Sequence, residues 1–187
     1  MAYRRNYSAG GTYFLTLCLA DRKSSLLIDY IDELREAYRK TLAKQPFIVE
    51  AMVVLPEHLH ALWTLPESDC DYPNRVRLFK SNFSKVLPQH IKWPRNESQR
   101  KKGEVGIWQR RYWEHTVRDA TDFNQYMDYI HYNPVKHGLV NTVAEWPYST
   151  FHRMVRHGYY PADWGNHNDL DKNFRLQNPS TKKSFQT

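Results

Sequence analysis

Cysteine is nearly absent from this chain: Cys18 and Cys70 are its only two, far apart and without paired spacing. That argues against a disulfide framework and a thiolate zinc site, and fits a reducing compartment. Long apolar runs are missing as well. No stretch suffices to span a membrane, and the start, with Tyr3, Arg4, Arg5 and Asn6 before Gly10-Gly11, lacks the apolar region of a signal peptide. A cytoplasmic protein with no membrane partner is expected. There is no internal repeat, and 187 residues at 41% hydrophobic content suit one domain with an adequate core rather than two.

Acidic residues are scarce in one region. Between Arg75 and Arg118, twelve Lys and Arg stand against three acidic side chains, a balance of +9, so the rest of the chain is about −2 within the formal +7. The same segment holds Phe79, Phe83, Trp93, Trp108, Tyr112 and Trp113. Cations for phosphates beside flat faces for bases are what single-strand binding uses. Core packing remains the commoner account of any one of these rings, but nucleic-acid contact best explains the charge imbalance. Arg75, Lys80, Arg110 and Arg111 are the candidate phosphate contacts.

Periodicity divides the chain into elements. Thr12 to Ala20 alternates and reads as a strand, and Leu26 to Leu42 has helical apolar spacing. Phe47 to Leu55 and His58 to Leu65 read as two antiparallel strands joined at Pro56-Glu57. Arg75 to Leu87 reads as a helix with Val76, Phe79, Phe83 and Val86 on one stripe. Tyr112 to Arg118 is a fourth strand, and a last helix, capped by Asp119 or Thr121 and stopped at Gly138, carries Tyr129. The expected fold is α+β, a ferredoxin-like or RRM-like sandwich with an antiparallel sheet, helices on one face, and an added C-terminal helix. One domain over residues 1–160 is expected, with an exposed polar loop from Pro94 to Gly106 and a flexible tail over residues 161–187.

Leu55-Pro56-Glu57-His58-Leu59-His60-Ala61-Leu62-Trp63 is the most informative stretch. Alternate strand residues share a face, so His58 and His60 emerge together while Leu59, Ala61 and Trp63 line the other side. Two neutral imidazoles can hold a divalent ion and leave positions open for substrate oxygens. On its own the spacing is a weak signal, and a solvated, alternating strand face is the commoner account of it. On the last helix, Asn133 lies one turn beyond Tyr129, so a phenol and an amide can face the histidine pair. Pro134 biases its predecessor away from helical geometry and predicts a kink or an end near Tyr132, displacing Asn133. Tyr126 and Tyr132, each one turn from Tyr129, compete for the role of functional tyrosine.

Tyr3-Arg4-Arg5, Gly10 to Phe14, Leu55 to Glu67, Trp108-Gln109-Arg110-Arg111-Tyr112-Trp113-Glu114-His115, Tyr129 to Val140 and Trp146 to Phe151 occur in this order along the chain. Together they resemble the REP-associated tyrosine transposases, a branch of the single-tyrosine HUH transposases. The resemblance implies a metal-dependent enzyme that cuts and rejoins single-stranded DNA through a 5′-phosphotyrosine at Tyr129. It implies His58, His60 and Asn133 as ligands of Mg²⁺ or Mn²⁺, since a two-histidine site suits Mn²⁺ as well as Mg²⁺. It further implies hairpin DNA of REP-like repeats as substrate, a nucleoid-associated location, and a monomer or homodimer. Arg4, Arg5, Gly11 and Thr12 are candidates to read a short guide sequence at the hairpin foot, although Gly10-Gly11 also suits a plain turn before the first strand. Two other readings remain: a non-catalytic nucleic-acid-binding module on the same fold, and a hydrolytic nuclease in which the metal activates water. The chain lacks the aromatic strand signature of an RNA-recognition motif, which weighs against the first.

Overall fold

A computed structural model describes residues 7–91 and 106–166. Four strands, β1 (Thr12–Cys18), β2 (Ile48–Val54), β3 (His58–Thr64) and β4 (Trp113–Thr116), form one antiparallel sheet in the order β2-β3-β1-β4. The helices are α1 (Leu26–Asp29), α2 (Ile31–Lys44), α3 (Tyr72–Val86), α4 (Ala120–Lys136) and α5 (Phe151–Arg156). The expected ferredoxin-like topology is what forms. Among the described residues no helix is long and apolar enough to cross a membrane.

Alternation in β1 and β3 decides which side each helix covers. Tyr13, Leu15 and Leu17 point with Leu59, Ala61 and Trp63 into the core beneath α2 and α3, against Leu34, Ala37, Val76, Phe79 and Phe83. Phe14, Ala51, Val53 and Leu62 point to the opposite face, where α4 supplies Met127 and Ile130 and α5 supplies Met154. The helix carrying Tyr129 therefore lies on the face that bears His58 and His60. One register slip would bury both imidazoles in the other core.

Helix boundaries differ from those predicted, for local reasons. The first helix is divided at Tyr30, whose ψ of 43° is not helical, and α1 is tied to the β2–β3 turn by Leu27 N–H donating to the Pro56 carbonyl at 3.1 Å. Helix α3 begins earlier than Arg75, because Asp71 caps it by accepting from the Asn74 N–H and proline is tolerated in a first turn. Helix α4 is capped by Asp119, which accepts from the Asp122 N–H at 2.9 Å. It runs through Pro134 to Lys136, so it does not end near Tyr132, and Gly138 (φ 67°) follows its cap as the expected stop. Pro134 falls in the last turn, where the missing N–H costs one ladder bond, and the His137 N–H still reaches the Asn133 carbonyl at 3.0 Å.

The chain after α4 closes the open edge of β2. Val54 N–H donates to the Tyr148 carbonyl at 2.8 Å, Thr150 N–H to the Met52 carbonyl at 2.9 Å, and Arg153 to the Val49 and Glu50 carbonyls at 2.6 and 2.8 Å. An edge covered this way offers no template for another strand. Packing also continues past the expected boundary at residue 160. The Trp164 ring lies 4.5 Å from that of Tyr160, and Gly165 (φ +83°) sits where a Cβ would stand 2.7 Å from Val143 Cγ2. Trp164 and Gly165 thus pack on Tyr160 and Val143: a polar Asp- and Asn-rich composition concealed one anchoring tryptophan. Arg4, Arg5, Trp93, residues 94–105 of the expected loop and residues 167–187 of the expected tail lie outside the described residues.

Candidate functional site

His58 and His60 open β3, opposite Cys18 and Thr16 of β1, and both are almost fully buried. Their rings lie 4.9 Å apart. His58 Nδ1 faces Glu57 Oε1 at 2.9 Å; a carboxylate accepts, so Nδ1 carries the proton and Nε2 of the neutral ring keeps its lone pair. Burial pushes the Glu57 carboxyl up, but the hydrogen bond from His58, with the Arg22 guanidinium at 3.2 Å, outweighs it and holds the carboxyl below its ordinary value. His60 Nδ1 pairs with the Thr16 hydroxyl at 2.9 Å, which leaves its Nε2 as the ligand atom when the hydroxyl accepts. Burial, followed by the proximity of His58 and His137, drives the His60 pKa well below its usual range. A neutral imidazole is the metal-binding form.

Tyr129 comes to this pair from α4. Its ring meets His60 at 5.2 Å and Phe14 at 5.7 Å, both edge-on, and the Lys136 ammonium lies 4.6 Å from its centroid. Burial raises the phenol pKa while hydrogen bonding by Asn133 opposes the rise. The competing tyrosines are placed elsewhere. Tyr126 stacks on Phe14 at 4.4 Å, its pKa pushed up to about 12 chiefly by burial. Tyr132 is buried on another side of α4 with Val143 and Phe151.

Asn133 stays within the helix, one turn beyond Tyr129. Its Nδ2 donates to the Tyr129 carbonyl at 3.2 Å, and since that carbonyl can only accept, the amide orientation is fixed. Its Oδ1 is buried without a hydrogen-bond partner among the described residues. A buried oxygen without a partner, one helical turn from the tyrosine that packs on His60, and two imidazoles with available Nε2 atoms make a donor set that fits a divalent ion. Among the described residues no group of three or more His, Cys, Asp or Glu side chains could hold a metal. The candidate site is therefore a mixed one, two imidazoles and an amide.

Sequence reasoning missed four neighbours of this site. Lys136 sits over the Tyr129 ring, His137 brings its ring to 5.4 Å from that of His58, and Thr16 and Glu57 orient the imidazoles. The spacing of residues 129, 133, 136 and 137 is a helical stripe that carried the signal for the first two. Thr16 and Glu57 needed the sheet register and the turn.

The predicted DNA contacts divide. Arg75 is 2% exposed and binds Asp69 at 2.7 Å, the Pro46 carbonyl at 2.8 Å and the Asp71 carbonyl at 3.1 Å, so it is a structural cross-link and not a phosphate contact. Arg75→Met should lower unfolding stability by about 3 kcal/mol, since it leaves partners unpaired, and leave the salt dependence of DNA binding unchanged. Urea titration and binding isotherms at several salt concentrations check both parts. Lys80 donates to the Gln109 carbonyl at 2.6 Å and lies over the Trp108 and Tyr112 rings, holding the approach to β4 against α3. Arg110 and Arg111 are exposed just before β4. Gly11 lies in a turn where a Cβ would stand 2.8 Å from the Ser8 carbonyl oxygen, and Thr12 bonds Thr64 across the strands at 2.8 Å.

Residues 8–133, a span that includes His58, His60, Tyr129 and Asn133, match the family model described as Transposase IS200 like. The chain is 48% identical to a Haemophilus influenzae protein described as a REP-associated tyrosine transposase, over 90% of this chain and 95% of that one. It is 45% identical to the REP-associated tyrosine transposase of Escherichia coli, over 87% of this chain and 89% of that one. A solved structure of a REP-associated tyrosine transposase bound to a REP hairpin is similar with a TM-score of 0.76 at 44% identity, covering 89% of this chain and 92% of that one.

Proposed function

This chain belongs to the IS200-like transposase family, and from that membership we propose that it binds hairpin repeat DNA and cleaves and rejoins the adjoining single strand through Tyr129. The observation that carries the proposal is the packing of the Tyr129 ring against His60, on the sheet face shared with His58, with the partnerless Asn133 Oδ1 one helical turn away. Packing of Tyr129 on His60 within the same fold supports a site completed in cis.

In the proposed reaction a Tyr129 Oη–P bond forms as the P–O3′ bond breaks. The phenol gives up its proton and the departing 3′ oxygen takes one up, so the ester is exchanged and not spent, and the reverse attack rejoins the strand. A phenol with a raised pKa is a weak nucleophile, so positive charge near it matters. The Lys136 ammonium over the ring favours the phenolate and stabilises it as the leaving group of the rejoining step. His58, His60 and Asn133 would hold Mg²⁺ or Mn²⁺, which supplies charge for the phosphate oxygens.

Two experiments test the reading. Incubation with a labelled hairpin bearing a single-stranded foot should give a covalent adduct on the peptide containing Tyr129, an outcome that neither a binding module nor a hydrolytic nuclease produces. Binding should be tightest for the hairpin with its foot, weaker without the foot and weakest for a paired duplex. The difference should be on the order of tenfold or more per stacked base. Equal affinities across a salt series would mean that charge alone drives binding.

A further inference from the structure

Of the six aromatics in the basic segment, five have other positions. Phe79 and Phe83 are buried in the core under α3, Trp108 packs on both at 6.2 and 5.6 Å, Tyr112 packs against the same core, and Trp93 lies outside the described residues. Trp113 differs from all of them. It pairs with Thr16, which on its other side pairs with His60, so Trp113, Thr16 and His60 form one row on the face that carries the candidate site. Two strand spacings, about 10 Å, separate the ends of that row, within reach of a nucleotide or two.

The indole is half-buried and held in a fixed orientation. It lies nearly parallel to His115, at 6° and 6.1 Å, while Phe14 meets it edge-on at 5.3 Å and Tyr126 flanks it at 6.5 Å. His115 is itself fixed by Asp122 at 2.8 Å, a carboxylate that also binds Arg118. Strand β4 is the edge of the sheet, with exposed Arg110 and Arg111 before it and exposed Arg118 after it. A rigid flat face, cationic side chains at both ends of its strand, and a sheet face continuous with Tyr129 through Phe14 suit an unpaired base whose backbone runs along the edge.

We propose that Trp113 is the stacking platform for an unpaired base next to the phosphate attacked by Tyr129, fixing the position of the single-stranded foot. The proposal rests on the strand-transfer reading and gives it a specific base contact. Its test uses hairpins with a single-stranded foot in which 2-aminopurine replaces one foot base at a time, with the same hairpin lacking the foot as reference. Wild-type protein should quench the fluorophore at one position beside the cleavage site. Trp113→Leu should remove that quenching and weaken binding of the footed hairpin by roughly five- to a hundredfold, with the footless hairpin unaffected, and Trp113→Phe should restore most of both. Thermal melting of each variant checks the fold. Absence of position-specific quenching by the wild type, or equal weakening of footed and footless hairpins by Trp113→Leu, overturns the platform; a wild-type covalent adduct in the same sample leaves the strand-transfer reading intact. Equal wild-type affinity for both hairpins together with no adduct overturns that reading and the platform with it.

Discussion

Tyr129→Phe should form no covalent adduct and should cut a footed hairpin more slowly by roughly a thousandfold or more, the scale seen when a nucleophile is deleted. Its affinity for the same DNA should stay within about twofold of wild type. The substitution removes one oxygen and keeps the ring, so the contacts to His60 at 5.2 Å and Phe14 at 5.7 Å and the Lys136 ammonium at 4.6 Å are retained. Fold and DNA binding should therefore survive while chemistry stops. A denaturing gel for the adduct and a binding titration on one preparation separate the two effects. An adduct at the wild-type rate would remove Tyr129 from consideration. Tyr126 and Tyr132 would then need to reach the histidines from places where one is stacked on Phe14 and the other is 5% exposed.

Much of this site was legible before any coordinates, because it rests on two short periodicities. Spacing of two placed His58 and His60 on one strand face, and spacing of four placed Asn133 one turn above Tyr129. What was not legible depended on register and burial. Arg75 reads as one more cation in a basic stretch, and only its contacts with Pro46, Asp69 and Asp71 show why it is inside. Thr16 became a partner of His60 through the pairing of β1 with β3, which joins residues far apart in the chain. Pro134 misled in the opposite direction: a rule about the residue before proline is weak in a last turn, where packing of Met127 and Ile130 on the sheet holds the helix. The covering of β2 uses backbone bonds at Tyr148 and Thr150, which have no signature in side-chain pattern, and the Arg153 guanidinium, whose carbonyl partners are set only by the fold.

Replacing His58 or His60 by Ala should raise the Mn²⁺ or Mg²⁺ concentration needed for half-maximal cleavage by roughly a hundredfold or more, and excess chelator should stop cleavage by the intact protein. Each imidazole has one nitrogen already engaged, His58 with Glu57 and His60 with Thr16, so the loss of either ring removes a ligand that is oriented in advance. Asn133→Ala should act in the same direction by deleting the buried Oδ1, and Glu57→Gln more mildly, within about ten- to a hundredfold, because it disturbs orientation and leaves the ligand. Hairpin affinity measured without metal should be nearly unchanged in all four variants, since phosphate charge and base stacking supply it. A purely structural pair of histidines would behave otherwise. His60 is 3% exposed, so a packing role would lower the melting temperature of His60→Ala while cleavage kept its wild-type dependence on metal. Metal titrations of cleavage, paired with melting curves and direct Mn²⁺ binding by calorimetry, distinguish the two cases, and full cleavage in excess chelator would refute the metal role for every residue of the set.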